Sequence, residues 1–281
     1  MQTLTACLKK LITAAVIMTA AVSLPCSATD SLSLTNVETA WLAEHPVIRF
    51  AIDPDNAPVE WINRKEQERG MSFDMLRLLE QRLGIQFKRI ESESWAESMQ
   101  MIQNREVDIL PAFRRAMEWQ RQLLFSRPWF KLPGVILSEQ KYQTLEELEG
   151  KKVAVVHGHI WDDLVSQISD KLIMIRASDS HQCLDMAVRG GADAMVGDIA
   201  SVTWILNRSG VTHLRIRPVE GQSLDLTVAV RDDWPMFQKI LNKALDSISQ
   251  DELDAIEENW IQLIEPAFWK DPYFQIITLF I

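Results

Sequence analysis

Two adjacent arginines, Arg114 and Arg115, follow the apolar segment Val107–Pro111 and could bind an anion. A guanidinium donates two parallel hydrogen bonds to a carboxylate, so an arginine that faces a cleft can hold an organic acid. The alternative is that both arginines lie on a solvated loop. Asp198, in the sequence VGDIA, is a second charged candidate. Its carboxylate can pair with a cationic group or cap a helix that begins at Ile199, and the two roles are compatible.

The sequence His157-Gly158-His159 precedes the helix predicted at Ile160–Ile168. A helix N-terminus offers free N–H groups and a positive dipole end, which favour an anion. Gly158 lets the backbone approach a ligand closely. Two histidines two residues apart, without further ligands, seldom form a metal site, so no metal is predicted. His159 is therefore kept as a ligand-facing candidate.

The sequence contains neither a phosphate-binding loop nor a dinucleotide-binding glycine motif, and no convincing Ser/His/Asp or Cys/His order. We therefore expect no cofactor and no enzymatic activity. The formal net charge of −10 argues against nucleic-acid binding, which requires a basic surface. The length of 281 residues and the apolar fraction of 47% are typical of a globular protein with two domains or lobes.

The first 28 residues have the layout of a secretory signal peptide. Lys9 and Lys10 precede the apolar run 11–24, and small residues follow at a cleavage site expected after Ala28. The run is shorter than the ~20 residues that span a bilayer. The sequence thus predicts a periplasmic protein with a linker at 29–39. The single cysteine after the cleavage site, Cys183, is expected to be buried in a core.

Predicted strands and amphipathic helices alternate along the chain, which indicates an α/β fold with mainly parallel sheets. Phe73–Leu83 has apolar residues every three or four positions, and Ser94–Asn104 begins with a capping-box pattern. A second series of strands and helices follows from Lys152. The chain is predicted to leave the first lobe near Gly134–Ser138 and to return along Asp225–Val230.

Residues 40–262 resemble the bacterial extracellular solute-binding proteins of family 3. The resemblance rests on six ordered motifs: IRFAIDPDNAPVEW, RGMSFDMLRLLEQRLGI, ESWAESMQMIQNREVDILPAF, LLFSRPWF, LEELEGKKVAVVHGHIWDDLV and RGGADAMVGDIASVTWIL. It implies a two-lobed periplasmic-binding-protein fold, the Venus flytrap, in which each lobe is a mainly parallel sheet flanked by helices. The expected division is 40–136 for the first part of lobe 1, 137–224 for lobe 2 with the hinge connections, 225–262 for the return to lobe 1, and 263–281 for a tail.

The resemblance also implies ligand-facing positions. The arginine that holds the ligand carboxylate in amino-acid-binding members is replaced here by Trp119, so Arg114 is expected to supply the charge from a neighbouring position. Asp198 matches a position that often pairs with a ligand ammonium group. Together with four tryptophans, the expected ligand-binding residues are Arg114, Asp198, Trp95, Trp119, His159, Trp61, Trp161 and Arg115.

The expected function is capture of a small polar or anionic organic molecule, amino-acid-like or a carboxylic acid, by hinge closure, for transport or sensing. The motif WLAEHPVIRFAIDPDNAPVEW is also similar to flytrap modules of membrane-bound histidine kinases and diguanylate cyclases. The partner is accordingly an inner-membrane ABC transporter or a receptor's own membrane part. The apolar end of the chain fits a packed terminal element or the start of a transmembrane helix. A dehydratase-like enzyme is the remaining alternative.

Overall fold

A computed structural model describes residues 32–114, 119, 121–157, 160–168 and 171–261. The predicted signal peptide and the tail 263–281 lie outside the described residues. The helices are α1 (Asn36–Glu44), α2 (Met71–Leu83), α3 (Trp95–Gln103), α4 (Ile160–Ile168), α5 (Ser180–Val188), α6 (Ile199–Ser209), α7 (Pro235–Asp246) and α8 (Gln250–Trp260). The strands are β1 (Val47–Phe50), β2 (Asp55–Asn56), β3 (Glu60–Ile62), β4 (Glu68–Arg69), β5 (Gln86–Arg89), β6 (Ile109–Arg114), β7 (Leu123–Phe125), β8 (Phe130–Ser138), β9 (Lys152–Val156), β10 (Ile173–Ala177), β11 (Ala194–Asp198) and β12 (Arg215–Arg231).

Side-chain caps set the start of several helices. Thr35 and Glu38 form a capping box at α1, so this helix begins inside the segment 29–39 that was expected to be a linker. At α3, the Ser94 hydroxyl accepts a hydrogen bond from the Glu97 N–H, as predicted. The Glu97 carboxylate, however, accepts from the Glu93 N–H, so the reciprocal half of the predicted capping box is not formed.

The main sheet has the order β10-β9-β11-β8-β12-β6-β1-β5, and β7 pairs with β12. Parallel ladders join β1 to β5 and β6 in the first lobe, and β9 to β10 and β11 in the second. The strands β8 and β12 are antiparallel to their neighbours. A small antiparallel sheet of β2, β3 and β4 lies beside α2 in the first lobe.

The strands β8 and β12 join the lobes. The predicted connections Gly134–Ser138 and Asp225–Val230 are parts of these longer strands. Their register shifts between Pro218 and Ser223, opposite Val135 and Pro133. Proline has no backbone N–H to donate to a ladder, which weakens pairing at this level. The irregular stretch is therefore the natural position of a hinge.

Each lobe has an apolar cluster on each face of its sheet. In the first lobe, one cluster lies between the sheet and helices α1, α2, α7 and α8, includes Trp129 and Phe237, and extends to Ala200 of α6. The other lies between the sheet and α3 and includes Phe113. The second-lobe sheet is covered by α5 and α6 on one face and by α4 on the other. Cys183 is fully buried there as a free thiol, and burial raises its pKa to about 12. Among the described helices, none is both long and apolar enough to cross a membrane.

Candidate functional site

The candidate site is the cleft between the lobes, where parallel strands end. The carboxyl end of β6 carries Arg114, and that of β11 carries Asp198. Loops at the carboxyl ends of parallel strands are where α/β proteins place their ligands, because the helix N-termini point there as well. In this chain the N-terminus of α4 follows β9, and that of α6 follows β11.

An ion pair spans this cleft. The Arg114 Nη2 of the first lobe lies 3.7 Å from the Asp163 Oδ2 in the first turn of α4. Both side chains keep contact with solvent: Arg114 is 38% exposed and Asp163 is 58% exposed. The guanidinium can therefore exchange this partner for the carboxylate of a ligand, and the aspartate can meet a cation.

Asp163 was not among the predicted site residues. Its neighbour Asp162 has the same charge but points inward, with a side chain that is 7% exposed. Asp162 accepts hydrogen bonds from the Arg176 Nε, at 2.8 Å, and lies 3.2 Å from the His157 Nδ1. The sequence shows two acids in one helical turn; only the orientation of α4 separates the buried one from the one facing the cleft.

Asp198 caps helix α6. Its Oδ1 accepts a hydrogen bond of 2.8 Å from the Ser201 N–H, and the residue is 8% exposed. The structure thus establishes the capping role. Its pairing with a ligand ammonium group remains a prediction.

Three aromatic rings meet on the first lobe at the end of β6. The ring of the buried Phe113 lies 5.5 Å from Trp95 and 6.3 Å from Trp119, measured between centroids. Both tryptophans are half-buried and pack on the core that includes Phe113. The two tryptophans thus lie on the face of β6 that carries Phe113, and their contact with a ligand stays a prediction.

The other two predicted tryptophans occupy different positions. Trp61, on β3, contacts Trp204 of α6 in the second lobe, with ring centroids 4.7 Å apart. Trp161 is 4% exposed and packs in the second-lobe core. Its ring covers Gly134 so closely that an added Cβ there would lie 2.5 Å from Cη2. Arg115 and His159 lie outside the described residues.

Glu60 anchors the loop at the first-lobe rim. The residue is fully buried, and its Oε1 accepts a hydrogen bond of 2.9 Å from the Asp53 N–H. Burial raises the pKa of Glu60 to about 8, and the hydrogen bond from Asp53 opposes this shift in part. This carboxyl group therefore titrates near neutral pH.

A groove of about 570 Å³ lies elsewhere, along the outer edge of the sheet at β5. It is lined by Glu80, Phe87 and Arg89, among others, and does not include Arg114 or Asp163. Glu80 accepts a hydrogen bond from the Phe87 N–H and so covers part of this strand edge. Within the described residues, no group of His, Cys, Asp and Glu is arranged to hold a metal ion.

The arrangement of two α/β lobes joined by two strands is the periplasmic-binding-protein, or flytrap, fold. The crystal structure of the Bordetella pertussis BvgS periplasmic VFT2 domain superimposes with a TM-score of 0.72, at 28% identity, covering 81% of this chain and 99% of that one. The ancestral amino acid-binding protein AncCDT-1, a precursor of cyclohexadienyl dehydratase, has the same fold, with a TM-score of 0.65 and 20% identity over 80% of this chain and 99% of that one.

Residues 48–263 match the family of bacterial extracellular solute-binding proteins, family 3, and the chain belongs to this family. The Virulence sensor protein BvgS of Bordetella pertussis is 29% identical over 227 residues, which cover 79% of this chain but 18% of that protein. The chain thus matches less than a fifth of this sensor's length. The Putative ABC transporter arginine-binding protein 2 of Escherichia coli is 24% identical over 83% of this chain and 94% of its own length.

Proposed function

We propose that the chain binds a small amino-acid-like or carboxylic acid ligand in the interlobe cleft, outside the inner membrane, and that closure of the lobes serves ligand sensing. The observation that carries the proposal is the Arg114–Asp163 pair, which places opposite charges from the two lobes on one cleft. A ligand with a carboxylate and an ammonium group would contact both lobes at once, and such contacts favour the closed state.

Similarity to a sensor protein supports sensing over transport. In this role the partner is the membrane part of a receptor that responds to lobe movement. Transport is the second candidate, favoured by the match to nearly the full length of an ABC transporter binding protein. Deletion of the gene separates the two roles: loss of ligand uptake supports transport, whereas loss of a ligand-dependent transcriptional response supports sensing.

The binding proposal is tested by thermal unfolding of residues 29–281 with a panel of amino acids, carboxylic acids and aromatic acids. A ligand present at about 100 times its Kd adds about 2.7 kcal/mol of stability. For a protein of this size we expect the Tm to rise by roughly 5–10 °C.

The variants Arg114→Ala and Asp163→Ala should abolish most of this shift. Arg127→Ala is the matched control, because Arg127 is 42% exposed and pairs with Asp246 on α7, away from the cleft. A shift that persists in both cleft variants would place the ligand elsewhere. The absence of a shift with every compound would contradict the proposed ligand class. Incubation with prephenate-like acids should yield no product, since the proposed role is non-catalytic.

A further inference from the structure

A cluster of three tryptophans connects the two lobes to the last described helix. Trp61 lies on β3 of the first lobe, Trp204 on α6 of the second, and Trp260 at the end of α8. The ring centroids of Trp61 and Trp204 are 4.7 Å apart, those of Trp61 and Trp260 5.3 Å, and those of Trp204 and Trp260 6.2 Å. Each of the three rings thus contacts the other two.

The anchoring of the three rings is unequal. Trp260 is tied to the first lobe, because its Nε1 donates a hydrogen bond of 2.7 Å to the Asp74 Oδ2 of α2. Trp204 belongs to the second lobe: its helix packs on the second-lobe core, and the Arg208 guanidinium lies 3.1 Å from the ring centroid. Separation of the lobes therefore has to pull Trp204 away from the other two rings.

Trp260 places the tryptophan cluster at the C-terminal end of α8. It is the last residue of α8, and the buried Ile261 follows it directly before residues 262–281. The start of α8 is held separately, through two hydrogen bonds from Arg82 to Glu252 of 2.6 and 2.8 Å. The part of α8 that touches the second lobe is thus the part from which the chain continues.

We propose that Trp61, Trp204 and Trp260 are positioning residues that couple closure of the lobes to the end of α8, so that the chain after Ile261 responds to the state of the cleft. This inference rests on the proposed function, because it requires lobes that open and close. It concerns transmission, whereas the ligand panel concerns binding, and the two can fail independently.

The test requires no ligand and measures amide hydrogen exchange of residues 29–281. In Trp204→Leu, an apolar side chain still packs on the second lobe, but the aromatic contacts are lost. We expect exchange at residues 257–261 to become about three- to tenfold faster, in line with the loss of one or two aromatic pairs. Exchange at residues 250–253, near the Arg82 contact, should change little.

Trp41→Leu is the matched control. Trp41 also lies in an aromatic cluster, with His45, Trp234 and Phe237, but all of these belong to the first lobe. Its loss should leave exchange at 257–261 unchanged. If Trp204→Leu does not fold, Trp204→Phe retains a ring and should show a smaller effect in the same residues.

A remote perturbation separates coupling from local packing. The double variant Arg114→Ala/Asp163→Ala removes the charges across the cleft without touching the tryptophans. We expect it to speed exchange at residues 257–261, and we expect this effect to disappear when Trp204→Leu is already present. Exchange that does not respond to the cleft variants, or responds equally in both backgrounds, would overturn the proposal. This result would hold even if no compound of the ligand panel raised the Tm.

Discussion

At the scale of single residues, the buried carboxyl group of Glu60 makes stability depend on pH. Its pKa is about 8 in the folded protein and near 4.5 in the unfolded chain. Below about pH 4.5 both states are protonated, and the group does not oppose folding. As the pH rises from there towards 8, the unfolded state loses its proton more readily, so the free energy of unfolding falls, by at most about 1.4 kcal/mol per pH unit.

We therefore expect Glu60→Gln to flatten the decrease in stability between pH 5 and 8, because the amide cannot ionise and its oxygen can still accept from the Asp53 N–H. Urea unfolding at several pH values measures this. Glu68→Gln is the control, since Glu68 is exposed on β4 and pairs with Arg89. Equal pH slopes for the wild type and Glu60→Gln would show that Glu60 is ionised throughout this range.

The sequence could indicate Arg114 but not its partner. The family resemblance indicated Arg114, because it stands five residues before Trp119, which replaces the usual carboxylate-binding arginine. Asp163 has no such signal, because the adjacent Asp162 has the same charge. What separates the two is that Asp162 is buried against Arg176 of β10, which is distant in the sequence. Likewise, the capping role of Asp198 follows from local sequence, whereas contact with a ligand depends on how the lobes face each other.

At the scale of elements, the hinge strand β8 requires glycine at position 134. The ring of Trp161 from α4 occupies the space that a Cβ would need. Since Trp161 is buried, it cannot move aside freely, and we expect Gly134→Ala to destabilise the protein by about 1–3 kcal/mol in urea unfolding.

Trp161→Leu, which removes the obstructing ring, should make Gly134→Ala less costly than it is in the wild type. Gly191→Ala serves as the control, because its added Cβ would meet ordinary contacts of 3.5 Å or more. Additive effects of Gly134→Ala and Trp161→Leu would mean that the predicted clash does not occur.

Element boundaries were predictable where a regular pattern met a clear stop. The predictions for β9, Lys152–Val156, and for α4 coincide with the structure. The prediction for α2 lacks the first two residues of the helix, and the prediction for α6, Ile199–Asn207, lacks the last two. The long strand β12 was predicted only as Asp225–Val230. Its first half contains Pro218, Gly221 and several polar residues, and it is a strand because it pairs with β8 across both lobes.

At the scale of the whole molecule, the fold was predictable because the ordered motifs resemble those of one family, and the family match confirms it. The contacts that hold the lobes together were not, since they join residues far apart in the sequence. Two such contacts differ in kind: the partly exposed Arg114–Asp163 ion pair and the Trp61–Trp204 ring contact.

These two contacts should respond differently to salt. An exposed ion pair contributes at most about 1 kcal/mol and is screened by ions, whereas ring packing is not. Small-angle X-ray scattering should therefore show a smaller increase in the radius of gyration when the wild type is moved from about 0.05 M to about 0.5 M NaCl than when Trp204→Leu is introduced. An increase with salt as large as that caused by Trp204→Leu would assign the main role to the ion pair.

The continuity of the main sheet has a mechanical consequence. Because β8 and β12 run through both lobes, the lobes are connected by one hydrogen-bonded ladder rather than by a flexible linker. Opening must twist this ladder near Pro133 and Pro218, which donate no backbone hydrogen bonds to it. Rotation there changes the distance between the lobes, so the contact between Trp61 and Trp204 has to open while the strands at the pivot barely shift.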